Sequence, residues 1–131
     1  MKLKSFKEIA VAGGGRWSRE ILTSLNVMFT DNVNFTVISP KNYEFSNDWC
    51  CKHILNRKTK VFKSFDCLKK SRFDALIVAN SASDHFKIAS LCLSYKIPVL
   101  VEKPVAISLK EVEYLIKKAK YLNSSNSISP V

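Results

Sequence analysis

A doubly wound parallel α/β sheet is the fold this sequence predicts, and three observations predict it. Short apolar runs such as EIAVA (Glu8 to Ala12) and DALIVAN (Asp74 to Asn80) read as strands buried on both faces, the habit of parallel sheets. Helix-period segments alternate with them, as strand–helix–strand units require. A glycine run, Gly13-Gly14-Gly15, stands directly between the first strand and the first helix. Right-handed crossovers then place helices on both faces of the sheet.

The elements follow in order. Arg16 to Phe29 places Trp17, Ile21, Leu22, Leu25 and Met28 close to a 3.6-residue period, an amphipathic helix. Asn34 to Ser39 (NFTVIS) is the second strand, ended by Pro40. Asn47 and Asp48 can cap a helix through Trp49, Ile54 and Leu55. Lys60 to Phe62 is a weak third strand, and Asp66 to Lys70 a short helix. Asp74 to Asn80 is the fourth strand. Ser83 can cap the next helix, whose stripe is Phe86, Ala89 and Leu93 with Ile88 and Cys92 beside it. Pro98 to Glu102 (PVLVE) is the fifth strand. Ser108 with Glu111 three residues on makes a capping box for a last helix with stripe Val112, Leu115, Ile116 and Ala119. One domain over residues 1–122 and a flexible Ser/Asn-rich tail over 123–131 are expected.

Composition bounds the function classes. The chain of 131 residues is 47% hydrophobic and 24% charged, ordinary for one globular domain and wrong for disorder. No apolar stretch approaches the roughly 20 residues of a membrane span. The N-terminus is charged and lacks the apolar core of a secretory signal, so a cytoplasmic protein is expected. Lys and Arg number 21 against 11 acids, a net +10. The excess is mostly lysine spread along the whole chain, its densest clusters being only Lys69-Lys70 with Arg72 and Lys117-Lys118 with Lys120 rather than an arginine-rich stripe, which makes nucleic acid an unfavoured partner and anionic small molecules a favoured one. Cys50, Cys51 and His53 cluster, but the further ligands a stable metal site needs are not nearby in sequence, so no metal is expected. The four cysteines are read as reduced thiols.

Gly13-x-Gly15-x-x-Ser18, between strand and helix, is the setting of a dinucleotide fingerprint. Gly13 permits the tight turn. Gly15 lets the backbone approach a pyrophosphate with no Cβ in the way, and the helix N-terminus offers free N–H groups to that anion. Ser18 stands where a third glycine is usual. At the end of the second strand, where an acid would hold a ribose diol, the sequence has Ser39, Pro40 and Lys41. Without that acid, and with Lys41 and Arg16 as cations, a 2′-phosphate is accommodated, so NADP(H) is favoured over NAD(H). Trp17 joins Arg16 as a candidate cofactor contact. Ligands of such sheets bind beyond the carboxyl ends of the strands. Two segments fall there: Asn80-Ser81-Ala82-Ser83-Asp84-His85 and Glu102-Lys103-Pro104.

The run from Glu8 to about Leu122 resembles the N-terminal NAD(P)-binding Rossmann domain of the Gfo/Idh/MocA oxidoreductases. The matching pieces are the GGGRWS turn, DALIVAN, SASDHFKIASLCL and VLVEKPVAISLKEVEYL, with Glu-Lys-Pro the most specific. The resemblance implies that Asn80 and Ser81 run beneath the cofactor, that His85 matches a frequent family histidine, and that Glu102 and Lys103 sit by the nicotinamide. It implies that Lys103 orients cofactor and substrate and assists proton transfer, and that Pro104 follows a cis peptide. The implied reaction is hydride transfer to or from a small alcohol, ketone or sugar-like substrate. The family's second domain has no counterpart here, so the chain alone is expected to be incomplete as a catalyst. The alternative is a stand-alone nucleotide- or CoA-binding sensor without chemistry. In the strand order 3-2-1-4-5 the fifth strand becomes an apolar edge, a pairing liability. The tail, a second polypeptide or a second copy is expected to cover it.

Overall fold

The computed structural model describes residues 6–29, 32–121 and 128–130. Its elements are β1 (Glu8–Ala12), α1 (Arg16–Met28), β2 (Asn34–Ile38), α2 (Tyr43–His53), β3 (Thr59–Phe62), α3 (Cys67–Lys70), β4 (Ala75–Val78), α4 (Ala82–Ser94), β5 (Val99–Val101), α5 (Leu109–Tyr121) and β6 (Ile128–Pro130). The sheet runs β3-β2-β1-β4-β5-β6 with every pairing parallel. The predicted order 3-2-1-4-5 is therefore present, with one strand added. The chain winds outward from β1 in both directions, so the switch point lies between β1 and β4.

Strand alternation divides the core into two layers. Ile9 and Val11 of β1 and Phe35 and Val37 of β2 point to the face that α1 and α2 cover with Leu22, Leu25, Cys50 and Ile54. Ala10 and Ala12 of β1, Ile38 of β2, and Leu76 and Val78 of β4 point to the other face, where Leu68, Ile88, Cys92 and Leu115 meet them. Successive residues of one strand serve opposite helical layers, which is why the strand sequences read as continuous apolar runs.

Four helices differ from expectation in detail. The buried stripe of α1 is Ser18, Leu22 and Leu25, while Trp17 and Met28 are exposed. Helix α2 starts at Tyr43 rather than near Asn47 and ends before Ile54; it buries Ser46 and Cys50, so it carries no apolar period to read. Helix α4 starts two residues earlier than a Ser83 cap implies: Ser81 is its N-cap, and Asp84 N–H donates to the Ser81 carbonyl at 2.9 Å. The α5 capping box is present in altered form. Glu111 N–H donates to Ser108 Oγ at 3.2 Å, while the Glu111 carboxylate accepts from Ile107 N–H, one residue earlier than the usual partner. Ile116, expected in the stripe, is exposed. Lys118 ties α5 to α4 by donating to the Ser90 carbonyl and to the hydroxyls of Ser90 and Ser94.

The expected cover for the β5 edge comes from the tail itself. Ile128–Pro130 pairs in parallel with Val99–Val101. The remainder of the expected 123–131 tail lies outside the described residues. Among the described residues no helix is long and apolar enough to cross a membrane, and no group of three His, Cys, Asp or Glu side chains is placed to hold a metal ion.

The cysteines divide by environment. Cys50, Cys67 and Cys92 are buried and Cys51 is exposed. Burial, with Cys51 adding to it, pushes the Cys50 thiol up to about 11, and burial pushes Cys92 up to about 12. Burial also raises Cys67. Iodoacetamide at neutral pH is expected to alkylate Cys51 alone, with the other three reacting only on unfolding; rapid modification of Cys92 in the native protein would contradict this packing. The raised values set a sign. Above the ordinary thiol pKa the unfolded chain ionises first, so stability is full below about pH 9 and falls by up to about 1.4 kcal/mol per pH unit and buried thiol above it. Chemical denaturation at pH 7 and 10 should show Cys92→Val losing less than the native chain.

Candidate functional site

The carboxyl ends of β1, β2 and β4 open into a cleft of about 690 Å³. Its floor is the glycine turn. Gly13 N–H donates to the Ile38 carbonyl at 2.9 Å and Ala79 N–H to the Ala12 carbonyl at 2.8 Å, so the turn leaves the sheet with its backbone still paired. Each glycine answers a different demand. Gly13 has φ +134°, and a Cβ there would sit 2.8 Å from the Ala79 carbonyl oxygen. At Gly14 a Cβ would collide with Ser39 Oγ and lie 2.9 Å from Ser46 Oγ. At Gly15 a Cβ would meet nothing within 4 Å. Gly15 is the N-cap of α1, and its open side is the space that an anion needs to approach the helix N-terminus.

Ser18 fits the third fingerprint position in its own way. It is buried, and its hydroxyl donates to the Gly13 carbonyl at 2.7 Å, binding the helix to the turn. The position needs a small residue for close packing, and serine satisfies that while using its hydroxyl.

Eight of the eleven predicted site residues line the cleft: Gly13, Gly15, Arg16, Trp17, Ser39, Lys41, Asn80 and Ser81. Their accessibility differs. Trp17, 54% exposed, and Arg16 stand at the mouth, with Lys41 exposed on the β2 side. Ser39 is only 1% exposed, and its hydroxyl accepts from Ser46 at 2.9 Å beneath Gly14. Its side chain thus serves the turn, and the solvent-facing groups at the β2 end are Lys41 and Asn42. Asn80 carries a buried Oδ1 that accepts no hydrogen bond. A buried acceptor left unserved is costly.

The other three stand beside the cleft rather than in its lining. His85 is 2% exposed, and both ring nitrogens face main-chain carbonyls, Nδ1 at 2.5 Å from Pro104 and Nε2 at 2.8 Å from Asn80. Glu102 N–H donates to the Val78 carbonyl at 3.1 Å, which carries the β5 end alongside that of β4. Lys103 is exposed, and the Lys103–Pro104 peptide is cis.

Sequence reasoning passed over part of the lining. Asn42, Phe65, Asp84, Lys87, Ile88 and Leu91 also face the cleft. Ile88 read as core beside a helical stripe, Leu91 was not singled out, and Phe65 sits in a loop without a motif. The neglected Gly14 had a signal: the middle glycine of a run is needed when both neighbouring segments press on it. Arg16, Lys41 and Lys87 against the single acid Asp84 give the lining an electropositive balance that favours a phosphorylated ligand.

The fold and cleft agree with what the chain resembles. Residues 7–127 match the model of the Gfo/Idh/MocA oxidoreductase family, NAD-binding Rossmann fold. The chain is 36% identical over 77 residues to the uncharacterized oxidoreductase YgjR of Escherichia coli, spanning 58% of this chain and 21% of that protein. It is 22% identical over 111 residues to trans-1,2-dihydrobenzene-1,2-diol dehydrogenase of Danio rerio, spanning 84% of this chain and 32% of that one. Among solved structures, a Gfo/Idh/MocA family oxidoreductase from Vibrio cholerae superposes with TM-score 0.81 at 19% identity, covering 97% of this chain and 38% of its own. GenD2 from gentamicin A biosynthesis, solved in complex with NAD, superposes with TM-score 0.78 at 20% identity, covering 99% and 35%. The chain therefore spans between a fifth and two fifths of these relatives' lengths. With the family model covering nearly all of it, the chain belongs to the Gfo/Idh/MocA oxidoreductase family, as its NAD-binding Rossmann domain.

Proposed function

We propose that the cleft holds NADP(H) in preference to NAD(H), and that this domain is the cofactor-binding half of an oxidoreductase acting on a small alcohol, ketone or sugar-like substrate. The observation that carries the reading is Gly15, whose absent Cβ leaves the α1 N-terminus open to a pyrophosphate. The residues present fit the group. The turn is pre-formed, the cleft has the size of a small-molecule site, and Asn80 Oδ1 waits as a buried acceptor. The bound nicotinamide would supply the hydride acceptor or donor.

The chain's own residues divide the remaining work. Gly13, Gly15 and the first turn of α1 hold the diphosphate. Arg16 and Lys41 neutralise a 2′-phosphate at the β2 end, where no carboxylate repels it. Trp17, Asn80 and Ser81 shape the cleft beside it. Glu102 and Lys103 extend from the β5 end, where the Lys103 ammonium can hold a substrate oxygen and exchange a proton with it. Catalysis on this reading needs a further part that encloses the substrate beside the cofactor cleft, so the activity of this chain alone is expected to be negligible.

A thermal-shift titration with NADPH, NADH and CoA tests the reading. Ligand at 100 times its dissociation constant stabilises by about 2.7 kcal/mol. NADPH is expected to raise the melting temperature more than NADH at equal concentration. Arg16→Glu combined with Lys41→Glu should reverse that order, since two carboxylates would then face the 2′-phosphate. A shift with CoA and with neither dinucleotide would replace this reading with that of a nucleotide-binding module without redox chemistry.

A further inference from the structure

His85 is a buried imidazole that the cleft itself does not use. It sits in the first turn of α4 with 2% of its surface exposed. Its two ring nitrogens meet carbonyls from two different loops. Asn80 follows β4 and lines the cleft. Pro104 follows β5, two residues after Glu102. Beyond the Glu102 N–H bond to Val78, the ring is what spans the gap between these strand ends. A ring carrying both N–H groups donates to both carbonyls and a neutral ring donates to one and packs against the other; either way neither nitrogen is offered to a ligand.

What His85 fixes does reach the cleft. The Asn80 carbonyl it engages belongs to the residue whose Oδ1 is buried and unserved, so the aim of that acceptor depends on a main chain that His85 holds. The Pro104 carbonyl belongs to the loop that carries Lys103. Pyrophosphate at the α1 N-terminus and the adenosine ribose at the end of β2 leave the other half of a dinucleotide over β4 and β5.

We infer that His85 is a positioning residue. By joining the Asn80 and Pro104 carbonyls it sets the half of the cleft over β4 and β5, and leaves the half over the glycine turn unaffected. The inference rests on the dinucleotide reading above, and it assigns His85 no contact with the cofactor.

The test compares whole dinucleotides with fragments that lack the nicotinamide half. Binding of NADPH and of 2′-phospho-ADP-ribose is measured for the native chain, His85→Phe and His85→Gln, with melting temperature as the fold control. His85→Phe should weaken NADPH by about tenfold, the effect of about 1.4 kcal/mol. It should leave the fragment within about twofold and reduce the nicotinamide fluorescence change on binding. His85→Gln, whose amide nitrogen can serve one carbonyl, should fall between. If His85→Phe does not fold, the glutamine variant carries the comparison. Equal losses for dinucleotide and fragment, or no loss for either, would overturn the positioning role. A native chain that binds neither ligand would overturn the dinucleotide reading and this inference with it. Native binding with unchanged variants would overturn this inference alone.

Discussion

Gly13→Ala is expected to lower the melting temperature by roughly 10–20 °C, while Gly15→Ala leaves it within a few degrees. The two glycines are two residues apart in one turn, so composition and propensity do not separate them. Geometry does. At Gly13 a side chain must adopt φ +134° and press against the backbone oxygen of Ala79 at 2.8 Å. Left-handed strain of about 1–3 kcal/mol adds to an overpacking penalty of about 1–3 kcal/mol, because the obstacle is main chain that cannot swing aside. At Gly15 the added methyl enters open space, and the loss is the few tenths to 1 kcal/mol between glycine and alanine at an N-cap. Function should show the opposite order of selectivity. Gly15→Val should fold and yet lose dinucleotide binding, because its side chain occupies the approach to the helix N-terminus. Differential scanning fluorimetry with and without NADPH reads both quantities. A Gly13→Ala protein as stable as the native chain would mean that the turn is not built as described.

Arg57→Ala is expected to destabilise by about 3–5 kcal/mol, although Arg57 is far from the cleft. Arg57 is 9% exposed, and its guanidinium carries bonds that few side chains could replace. Nε donates to Asn26 Oδ1 at 2.7 Å, one terminal nitrogen to the Val33 carbonyl at 2.8 Å, and the other to the carbonyls of Asn26 at 3.1 Å and Phe29 at 2.8 Å. Its flat face lies 4.5 Å from the Phe35 ring centre. These carbonyls are the ones that the end of α1 leaves without helical partners, and the one that opens β2. Truncation to alanine strands them in a buried site. Arg57→Lys keeps the charge but has no planar fork to serve several directions, so most of the loss should remain. Urea unfolding of the two variants decides it: a lysine variant as stable as the native chain would show that charge, rather than fork geometry, is what matters there.

Much of this molecule is legible in its sequence, and the exceptions share a cause. Strands β1, β2, β4 and β5 are runs of residues buried on both faces, and their order followed from the alternation of elements. The glycine turn was legible because Gly13 and Gly15 stand in a strand–turn–helix setting. Helix α2 was misplaced because what it buries is Ser46 and Cys50, small groups packed on Ser39 and the sheet, which leave no apolar period. Arg57 was invisible because most of its hydrogen bonds go to main-chain carbonyls, which have no sequence, and its side-chain partners Asn26 and Phe35 lie at no readable spacing from it. The same holds for His85: its place beyond β4 and the family resemblance suggested a cofactor-side role, and its two partners are the backbone of Asn80 and Pro104. Ser39 was placed correctly along the chain, yet which way its hydroxyl turns was decided by Gly14 and Ser46, neighbours that no spacing rule brings together.

The sheet order has one more consequence, for when the cleft comes into being. The cleft lies beyond the seam between β1 and β4, and that seam joins Ile9 to Ala75 and Ala12 to Val78, residues more than sixty positions apart. Closing so long a loop must precede any reward from the contact it makes. The glycine turn can form early with β1 and β2, but the Ala79–Asn80 wall arrives only with β4. No half-assembled chain therefore owns the site. Occupancy of the cleft is a report on the whole sheet, and a ligand that binds there stabilises the pairing of longest sequence separation along with the loop it touches.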